Sequence, residues 1–441
     1  MVRNFKKDVL VSGFALFAMF FGAGNLIFPP FLGWDCGSKW IEGIFFFILV
    51  DVGLSLLVLF VLARKGRGPQ GVTEDLGPLA SKLILYANVV CLGPLIAIPR
   101  TAATAFALAV QPVFPGASSW LFSALFFAVV SLLSIKRTKA LDIIGTVLAP
   151  LSFTALLFLI IHGIVVPLGP VTEASAYDSV VQAGILSGYQ TMDMMGTVIL
   201  STALLFSITH KGYTQVRDQF RIIAGAGLIA AVALTVVYGG LAYVGATMSE
   251  RAGLLDRTTL LVTIAKLLLG GYGFLLLSGI VLIACLSTAV GLVSSSASFF
   301  ADGSGGRFSY RTLVAAFAAL SFAISNLGLD SIIAHAAPIL DLLYPVLLTV
   351  TVLGLFGSHI RDNRVYKYPT AVAFLVSLSV LAGKTLDLNL PVNRLPFGSM
   401  GLAWVVPTIV CAALGLVVFN RTKSKAQSGK PLAAPAGLGR L

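Results

Sequence analysis

Long apolar runs separated by short polar segments form the dominant pattern along the chain. A helix that crosses a bilayer needs about 20 mostly apolar residues. On this criterion the pattern predicts twelve spans, at 9–33, 41–63, 83–110, 120–135, 141–166, 188–208, 221–246, 271–300, 312–328, 330–356, 369–386 and 400–419. The apolar segment 259–269 is too short to span, and we predict an interfacial or plugging helix on an external loop.

The composition agrees with this pattern. The chain has 441 residues, of which 57% are hydrophobic and 11% charged, and its mean hydropathy is +0.96. A soluble domain has about 25% charged residues, so we predict an all-α polytopic membrane protein. The four cysteines are scattered, and no metal site or disulfide framework is expected. We find no nucleophile–base pair, metal cluster or ATP-binding motif, so neither an enzyme nor a cofactor is expected.

The net charge of +12 is explained by topology. With the N-terminus inside and the spans alternating, 23 of the 30 Lys and Arg residues fall on the inner side and six on the outer side. This asymmetry follows the positive-inside rule. Both termini are therefore predicted to be cytoplasmic, and no nucleic-acid partner is implied. The polar tail 420–441 is predicted to be disordered.

Two spans are interrupted by helix-weakening residues. Span 1 contains Gly22, Gly24 and Asn25, and span 6, five spans later, opens with "GYQTMDMMG". The spacing predicts a 5+5 inverted repeat, an architecture of secondary transporters in which paired interruptions indicate the binding site. The two repeats would be 1–166 and 188–356, followed by two further helices in 369–419. The alternative is that these glycines only allow close helix packing.

A broken helix in a membrane requires other partners for its backbone. Unpaired N–H and C=O groups cost several kcal/mol each in lipid. Such a break is tolerated where packed protein, water or a ligand satisfies these groups. The N-terminus of a half-helix suits a carboxylate, whereas free carbonyl oxygens suit a small cation or an ammonium group. The breaks therefore predict a site for a zwitterion and a cation at mid-membrane.

Four stretches in one order resemble the branched-chain amino acid:cation symporter family (BrnQ, or LIVCS). They are "FFGAGNLIFPP" (20–30), "GPLIAIPRTAATAF" (93–106), "GYQTMDMMG" (188–196) and "CLSTAVGLVSSSASFF" (285–300). The resemblance covers the chain apart from about its last twenty residues. It implies the leucine-transporter (LeuT) fold of the amino-acid–polyamine–organocation superfamily, with broken helices 1 and 6. It also implies alternating access by rocking of helices 1, 2, 6 and 7.

The resemblance further implies site residues. Substrate binding is carried over to the two interruptions, at Gly22, Ala23, Gly24, Asn25, Gly188, Tyr189, Gln190, Thr191 and Asp193. A sodium ion would take backbone carbonyls near Ala18 and Phe21 and the helix 8 residues Ala284, Ser287 and Thr288. No metal is implied beyond this coupling cation. The alternative for Ser287 and Thr288 is a hydrogen bond to the preceding turn. Asn25 would contribute to a second cation site, so the number of ions stays open.

Charged side chains inside the predicted spans are further candidates for functional residues, because a charge inside a membrane is costly and usually serves a function. Asp193 either binds the substrate ammonium, binds a cation, carries a proton or forms a structural ion pair. Arg100 follows Pro99, and Pro94 lies about a turn away, so span 3 is predicted to be kinked. Arg100 either pairs with Asp193, steers a carboxylate or is structural. Asp341 is a candidate for part of a gate or of a proton path. Asp51 is a further candidate for a buried carboxylate.

The predicted function is sodium-coupled import of leucine, isoleucine and valine. An apolar pocket binds leucine over alanine by roughly 2–3 kcal/mol but separates leucine from valine poorly. One rival is a proton-coupled transporter of another small neutral amino acid, with Asp193 or Asp341 as carrier. A second rival is a membrane receptor without transport. We expect a multi-pass protein of a bacterial inner membrane, with no obligatory protein partner.

Overall fold

The computed structural model describes residues 4–65, 69–135, 149–173, 175–251, 257–386, 388 and 390–428. Helices, joined by turns and loops, make up this part of the chain, and it contains no strand. The α-helices are α1 Phe5–Phe20, α2 Ala23–Cys36, α3 Trp40–Ile48, α4 Leu54–Lys65, α5 Gln70–Thr73, α6 Pro78–Val90, α7 Ala97–Ala105, α8 Ser119–Ser134, α9 Ala149–Val165, α10 Val180–Thr191, α11 Asp193–His210, α12 Val216–Ala246, α13 Arg257–Gly303, α14 Tyr310–Ser325, α15 Leu329–Leu355, α16 Arg364–Thr385 and α17 Val405–Ser428.

Several predicted spans consist of two helices. Span 1 is α1 and α2, span 2 is α3 and α4 joined by a π-helical turn at Leu49–Gly53, span 3 is α6 and α7, and span 6 is α10 and α11. The helix of span 6 begins at Val180, earlier than the predicted residue 188. α17 continues to Ser428, although the tail was predicted to begin at 420. Residues 141–148 of span 5 and 429–441 of the tail lie outside the described residues.

The two interruptions are present, and they differ in backbone conformation. Between α1 and α2, Gly22 is extended, with φ −109° and ψ −167°. Between α10 and α11, Met192 is left-handed, with φ 67° and ψ 15°. The sequence places the second break near the glycines of "GYQTMDMMG", whereas the helix is interrupted at a methionine between them. A left-handed methionine is strained, which indicates that the surrounding structure holds it there.

Span 3 contains a further kink, as its prolines predict. Gly93 has non-helical angles, φ −76° and ψ −120°, directly before Pro94. Proline has no N–H to donate and crowds the preceding turn. The chain therefore changes direction between α6 and α7, midway along the span.

The short segment 259–269 forms the first part of α13, which is interrupted at Gly270 (φ 61°, ψ −147°). Leu260, Ile264 and Leu268 of this part pack in a small apolar cluster with Trp34 of α2 and Leu159 of α9. It thus covers one end of α2, as expected for a plugging helix. At the start of α13, the Arg257 guanidinium lies 4.8 Å from the centre of the Phe31 ring.

α12 packs along both halves of the first broken span. The approach is so close that a Cβ at Gly33 of α2 would collide with the Ala242 carbonyl oxygen. Of the described helical segments, six are long and apolar enough to cross a membrane, and four shorter ones are apolar. The chain is thus a multi-pass helical membrane protein. The count of twelve spans and the two repeats, 1–166 and 188–356, stay predictions.

Candidate functional site

Both helix breaks open onto one small cavity in the middle of the bundle. Its polar and glycine lining comes from Gly22, Asn25, Arg100, Thr101, Thr191, Asp193, Gly196 and Thr288, and its apolar lining from Met19, Phe20, Leu92, Ala97, Met192, Leu200 and Leu292. The cavity volume is about 30 Å³. A water molecule needs about 10–15 Å³ measured in this way. The cavity therefore has room for about two waters, and an amino acid enters only if the surrounding helices move apart.

Asn25 connects the two breaks. Its side-chain Nδ2 donates to Asp193 Oδ2 at 2.8 Å, and Nδ2 also lies 2.6 Å from Tyr238 Oη and 3.4 Å from Asp51 Oδ2. Its Oδ1 accepts from the Gly22 N–H at 3.2 Å. Asn25 is only 1% exposed, so these contacts replace water for a buried amide. One side chain thus ties the first break to α11, α12 and the π-helical turn of span 2.

Asp51 and Asp193 form a buried carboxyl pair around Asn25. The Thr191 hydroxyl lies 2.5 Å from Asp51 Oδ1 and 2.6 Å from the Gly188 carbonyl oxygen. Asp51 is 1% exposed and Asp193 is 9% exposed. Neither carboxyl group has an ion pair within 4 Å among the described residues. Buried charges are normally paired or bind a cation, so this pair is suited to a proton, an ammonium group or a metal cation.

Arg100 stabilises the second break. Its Nη1 donates to the Gln190 carbonyl at 2.6 Å, and its Nη2 donates to the Thr191 carbonyl at 3.2 Å. The side chain is buried, and a Cβ at Gly24 would lie 3.0 Å from Nη2. Of the alternatives weighed from sequence, this geometry matches the structural arginine. The guanidinium caps the last carbonyls of α10 and packs against α2.

The regular hydrogen-bond pattern of α1 ends before the first break. In a continuous helix the Gly22 N–H would donate to the Ala18 carbonyl, but it donates to Asn25 Oδ1 instead. The Phe21 N–H donates to Phe17 O at 2.7 Å. The Thr288 hydroxyl is buried without a hydrogen-bond partner among the described residues, and it would lie 3.3 Å from a Cβ at Gly22. Thr288 therefore points at the first break.

The other predicted helix 8 residues lie beside Thr288. The Ser287 hydroxyl donates to the Ala284 carbonyl at 2.9 Å. That is the local hydrogen bond weighed as the alternative for this residue. Ser287 and Ala284 are both buried. Thr288 lines the cavity, whereas Ala18, Phe21, Ala284 and Ser287 do not.

Several residues predicted to bind the substrate do not line the cavity. A Cβ at Gly188 would lie 2.8 Å from the Val50 side chain, so this glycine permits close packing. The Tyr189 ring stacks on the Tyr344 ring with 4.4 Å between centroids. The Gln190 backbone carbonyl accepts from Arg100, and its buried side-chain Oε1 has no hydrogen-bond partner within the described ranges. Ala23 and Gly24 belong to the first turn of α2.

Asp341 lies away from the cavity. Its carboxylate is 3.7 Å from Lys384 Nζ, and the side chains of Asp341 and Lys384 are 38% and 63% exposed, respectively.

Tyr238 is fully buried at the site, but the sequence did not identify it as a site residue. The available signal was a tyrosine in the otherwise apolar "ALTVVYGG" of span 7. A buried phenol usually finds a hydrogen-bond partner.

Two interrupted helices that meet at a central cavity are an arrangement typical of secondary transporters. Two solved structures share this fold. One is MHP1, a nucleobase-cation-symport-1 family transporter in a closed conformation, with a TM-score of 0.62, 15% identity and coverage of 97% of this chain and 94% of that chain. The other is a Na⁺-coupled sialic acid symporter, with a TM-score of 0.60, 12% identity and coverage of 93% and 90%. They confirm the predicted LeuT-like fold class.

The chain belongs to the branched-chain amino acid transport protein family, whose sequence profile matches residues 5–422. It is 34% identical over 432 residues to the branched-chain amino acid permease BraB of Bacillus subtilis (strain 168), covering 93% of this chain and 95% of BraB. It is 35% identical over 424 residues to the permease BrnQ of Escherichia coli (strain K12), with the same coverage. The predicted family is confirmed. These relatives are permeases, and the chain is a transporter rather than an enzyme.

Proposed function

We propose that this protein imports branched-chain amino acids together with sodium ions, by alternating access. The substrate class is supported by the family and by the permeases BraB and BrnQ. The observation that carries the sodium proposal is the Thr288 hydroxyl, which faces the first break beside Gly22 and has no hydrogen-bond partner in the part of the chain that the structure describes. The proposed ion takes carbonyls of Ala18, Phe21 and Ala284 and the hydroxyls of Ser287 and Thr288.

The chemistry of this oxygen set supports sodium as the coupling ion. Hydroxyl and carbonyl oxygens are hard, neutral ligands. The ion would also compensate backbone groups that the helix break leaves unpaired. Binding would require the Ser287 hydroxyl to turn its lone pairs toward the ion, which is compatible with its present donation to the Ala284 carbonyl.

The cavity also supports a zwitterionic substrate with an apolar side chain. We propose that the Asp193 carboxylate binds the ammonium group. The half-helix N-termini at Gly22–Asn25 and Asp193 provide N–H groups and a favourable dipole for the carboxylate. Leu92, Leu200 and Leu292 provide apolar surface for a branched side chain. A buried CH₂ contributes about 0.8 kcal/mol, so larger aliphatic side chains bind better than alanine.

The enclosed cavity supports alternating access. Since it is too small for an amino acid, binding and release each require the helices to separate on one side. We propose that the basic residues concentrated on one side face the cytoplasm, with both termini. The proposed location is a bacterial inner membrane.

The test is uptake of radiolabelled leucine into proteoliposomes under sodium, lithium, potassium or proton gradients, each imposed separately. We expect uptake to require sodium and to be lost in the double variant Ser287→Ala/Thr288→Ala. Ser278→Ala on the same helix is the matched control, because its hydroxyl only donates to the Phe274 carbonyl. It should keep native uptake. Sodium-independent uptake that survives the double variant would refute the ion site, and absence of leucine uptake under every gradient would refute the substrate.

The buried carboxyl pair favours one second candidate, proton-coupled transport. Asp51 and Asp193 converge on Asn25, while the nearby Arg100 is engaged by two carbonyls. Two such carboxyl groups are suited to carry one proton between them. Uptake that follows the proton gradient without sodium, and is lost in Asp193→Asn, would support this candidate instead.

A further inference from the structure

Most buried glycines in the described part of the chain allow helices to approach closely. A Cβ at Gly33 or at Gly245, for example, would collide with backbone atoms of the facing helix. Gly196 of α11 and Gly291 of α13 are also buried, but a Cβ at either would meet only the Leu200 side chain within 4 Å. These two glycines therefore leave space inside the bundle, and helix packing does not explain them.

The space lies on both sides of the end of the Leu200 side chain, which lines the cavity. A Cβ at Gly196 would be 3.8 Å from Leu200 Cδ1, and a Cβ at Gly291 would be 3.9 Å from Leu200 Cδ2. Each methyl group of Leu200 thus has room for one more carbon atom beside it. Gly415 of α17 is likewise buried with room for a Cβ, but its neighbour is Val365, 3.7 Å away, and neither residue lines the cavity.

The position of this space along α11 suits the side chain of a bound amino acid. Asp193, Gly196 and Leu200 all line the cavity, and their spacing of three and four residues places them on one face of the helix. At 1.5 Å per residue, Gly196 lies about 4.5 Å and Leu200 about 10 Å along the axis from Asp193. Because the three residues belong to one helix, this spacing is kept when neighbouring helices move apart.

The two ends of this face differ in polarity. At one end, Asp193 accepts a hydrogen bond from Asn25. At the other end, Leu200 is apolar, and Leu292, which follows Gly291 in sequence, also lines the cavity. A substrate whose ammonium group binds Asp193 would therefore extend its aliphatic side chain past Gly196 toward Leu200.

We propose that Gly196 and Gly291 set the size limit for the substrate side chain. The space that they leave beside Leu200 takes the outermost methyl group of leucine and isoleucine, which extends one carbon beyond the side chain of valine. One carbon in an apolar site changes discrimination by about tenfold or more. This inference rests on the proposed import of branched-chain amino acids with the ammonium group at Asp193, but not on the identity of the coupling ion.

The test is the substrate selectivity of Gly196→Ala. Uptake of radiolabelled leucine and of radiolabelled valine into proteoliposomes gives kcat/KM for each amino acid, and the ratio of the two values is the readout. The added methyl group occupies the space that leucine needs, so the leucine-to-valine ratio should fall about tenfold. Uptake of valine should stay close to native.

Two further variants accompany it. Gly291→Ala should lower the ratio in the same direction but by less, because α13 is a different helix from the one that carries Asp193. It is the second reporter where Gly196→Ala fails to fold. Gly415→Ala is the matched control, since it also replaces a buried helical glycine that has room for a Cβ, and it should keep the native ratio.

A compensating change separates recognition from a general effect of alanine. Leu200→Val removes the Cδ1 methyl group that the new Cβ approaches. Added to Gly196→Ala, it should restore the leucine-to-valine ratio to within about threefold of native, because the two residues act on one space. A general effect of alanine on stability would not be reversed by a second substitution of this kind.

The outcomes distinguish the size limit from the proposed function. An unchanged ratio in both Gly196→Ala and Gly291→Ala, with normal leucine uptake, would overturn the size limit and leave the proposed function standing. An equal loss of leucine and valine uptake in Gly196→Ala would show that the methyl group impairs transport rather than recognition, which also overturns it. Absence of uptake of both amino acids by the native protein would refute the proposed function and the size limit with it.

Discussion

The two helix breaks differ in how the backbone groups beside them are hydrogen-bonded. At the second break, every carbonyl in the last turn of α10 has a protein partner. Thr191 Oγ1 lies within hydrogen-bond distance of Gly188 O, the Met192 N–H donates to Tyr189 O, and Arg100 donates to Gln190 O and Thr191 O. At the first break, the amide expected at the Ala18 carbonyl is diverted to Asn25. The last turn before the second break is thus hydrogen-bonded by protein groups throughout, whereas the first break has lost the helical hydrogen bond to the Ala18 carbonyl.

This difference suits the second break to a rigid structural role and the first break to ligand binding. A break whose carbonyls are satisfied by a buried arginine holds its geometry without a ligand. An open break gains stability when a cation or substrate arrives, so its occupancy can bias the conformation of the transporter. Asn25 belongs to both, because it caps Gly22 and donates to Asp193. The predictions that follow test this division, beginning with the residue that the breaks share.

Asn25→Ala should have the largest effect. It removes the acceptor for the Gly22 N–H and the donor for Asp193, and each unsatisfied buried group costs about 1–3 kcal/mol. We expect leucine uptake to fall by at least about a hundredfold, with a lower melting temperature in detergent. Asn326→Ala is the control, since Asn326 only donates to the Phe322 carbonyl at the end of α14. Near-native uptake by Asn25→Ala would show that the breaks work independently.

Arg100→Lys should weaken the second break. Lysine keeps the charge but lacks the planar fork that reaches two carbonyls, and a hydrogen bond to a charged group contributes about 1.5–3 kcal/mol. We expect roughly a tenfold loss of maximal uptake and little change in the sodium concentration for half-maximal uptake. Arg64→Lys is the matched control, because Arg64 also donates to a carbonyl on another helix, that of Leu355, but is exposed. A variant that changed mainly the sodium dependence would place Arg100 at the ion site.

Thr288→Val should affect the first break alone. Valine has the shape of threonine without its hydroxyl, so the packing is kept and one proposed ligand is lost. The sodium concentration for half-maximal uptake should rise about tenfold, equivalent to ~1.4 kcal/mol. The KM for leucine at saturating sodium should change little. The measurement is a sodium titration of uptake beside Ser278→Ala. Unchanged sodium dependence in Thr288→Val would remove this hydroxyl from the ion site.

Asp341→Asn should have the smallest effect. Asp341 is partly exposed and paired with the more exposed Lys384, and such surface pairs contribute about 0–1 kcal/mol. We expect uptake within about twofold of native and an unchanged pH profile. The measurement is leucine uptake between pH 5 and pH 8. Loss of pH dependence in Asp341→Asn would move proton coupling to this residue and away from the breaks.

Much of the fold could be predicted because its signals are local. Apolar length, glycine and proline placement and the distribution of basic residues gave the helices, the first break and the kink before Pro94. The second break was placed only approximately, because a left-handed Met192 has no local signature and is held by Thr191 and Arg100 contacts. Arg100 left three alternatives open for the same reason: the carbonyls it caps are about ninety residues away in sequence.

The sequence by itself determined that this chain is a helical membrane protein of the branched-chain amino acid transport family, with a break in its first span near Gly22. These properties depend on composition and on motifs that each lie within one helix. Only the tertiary structure decided that Asn25 reaches Asp51, Asp193 and Tyr238 at once, and that Thr288 rather than Ser287 presents a free hydroxyl. Such outcomes depend on which buried groups face one another across helices, and the membrane interior requires each of them to find a partner there.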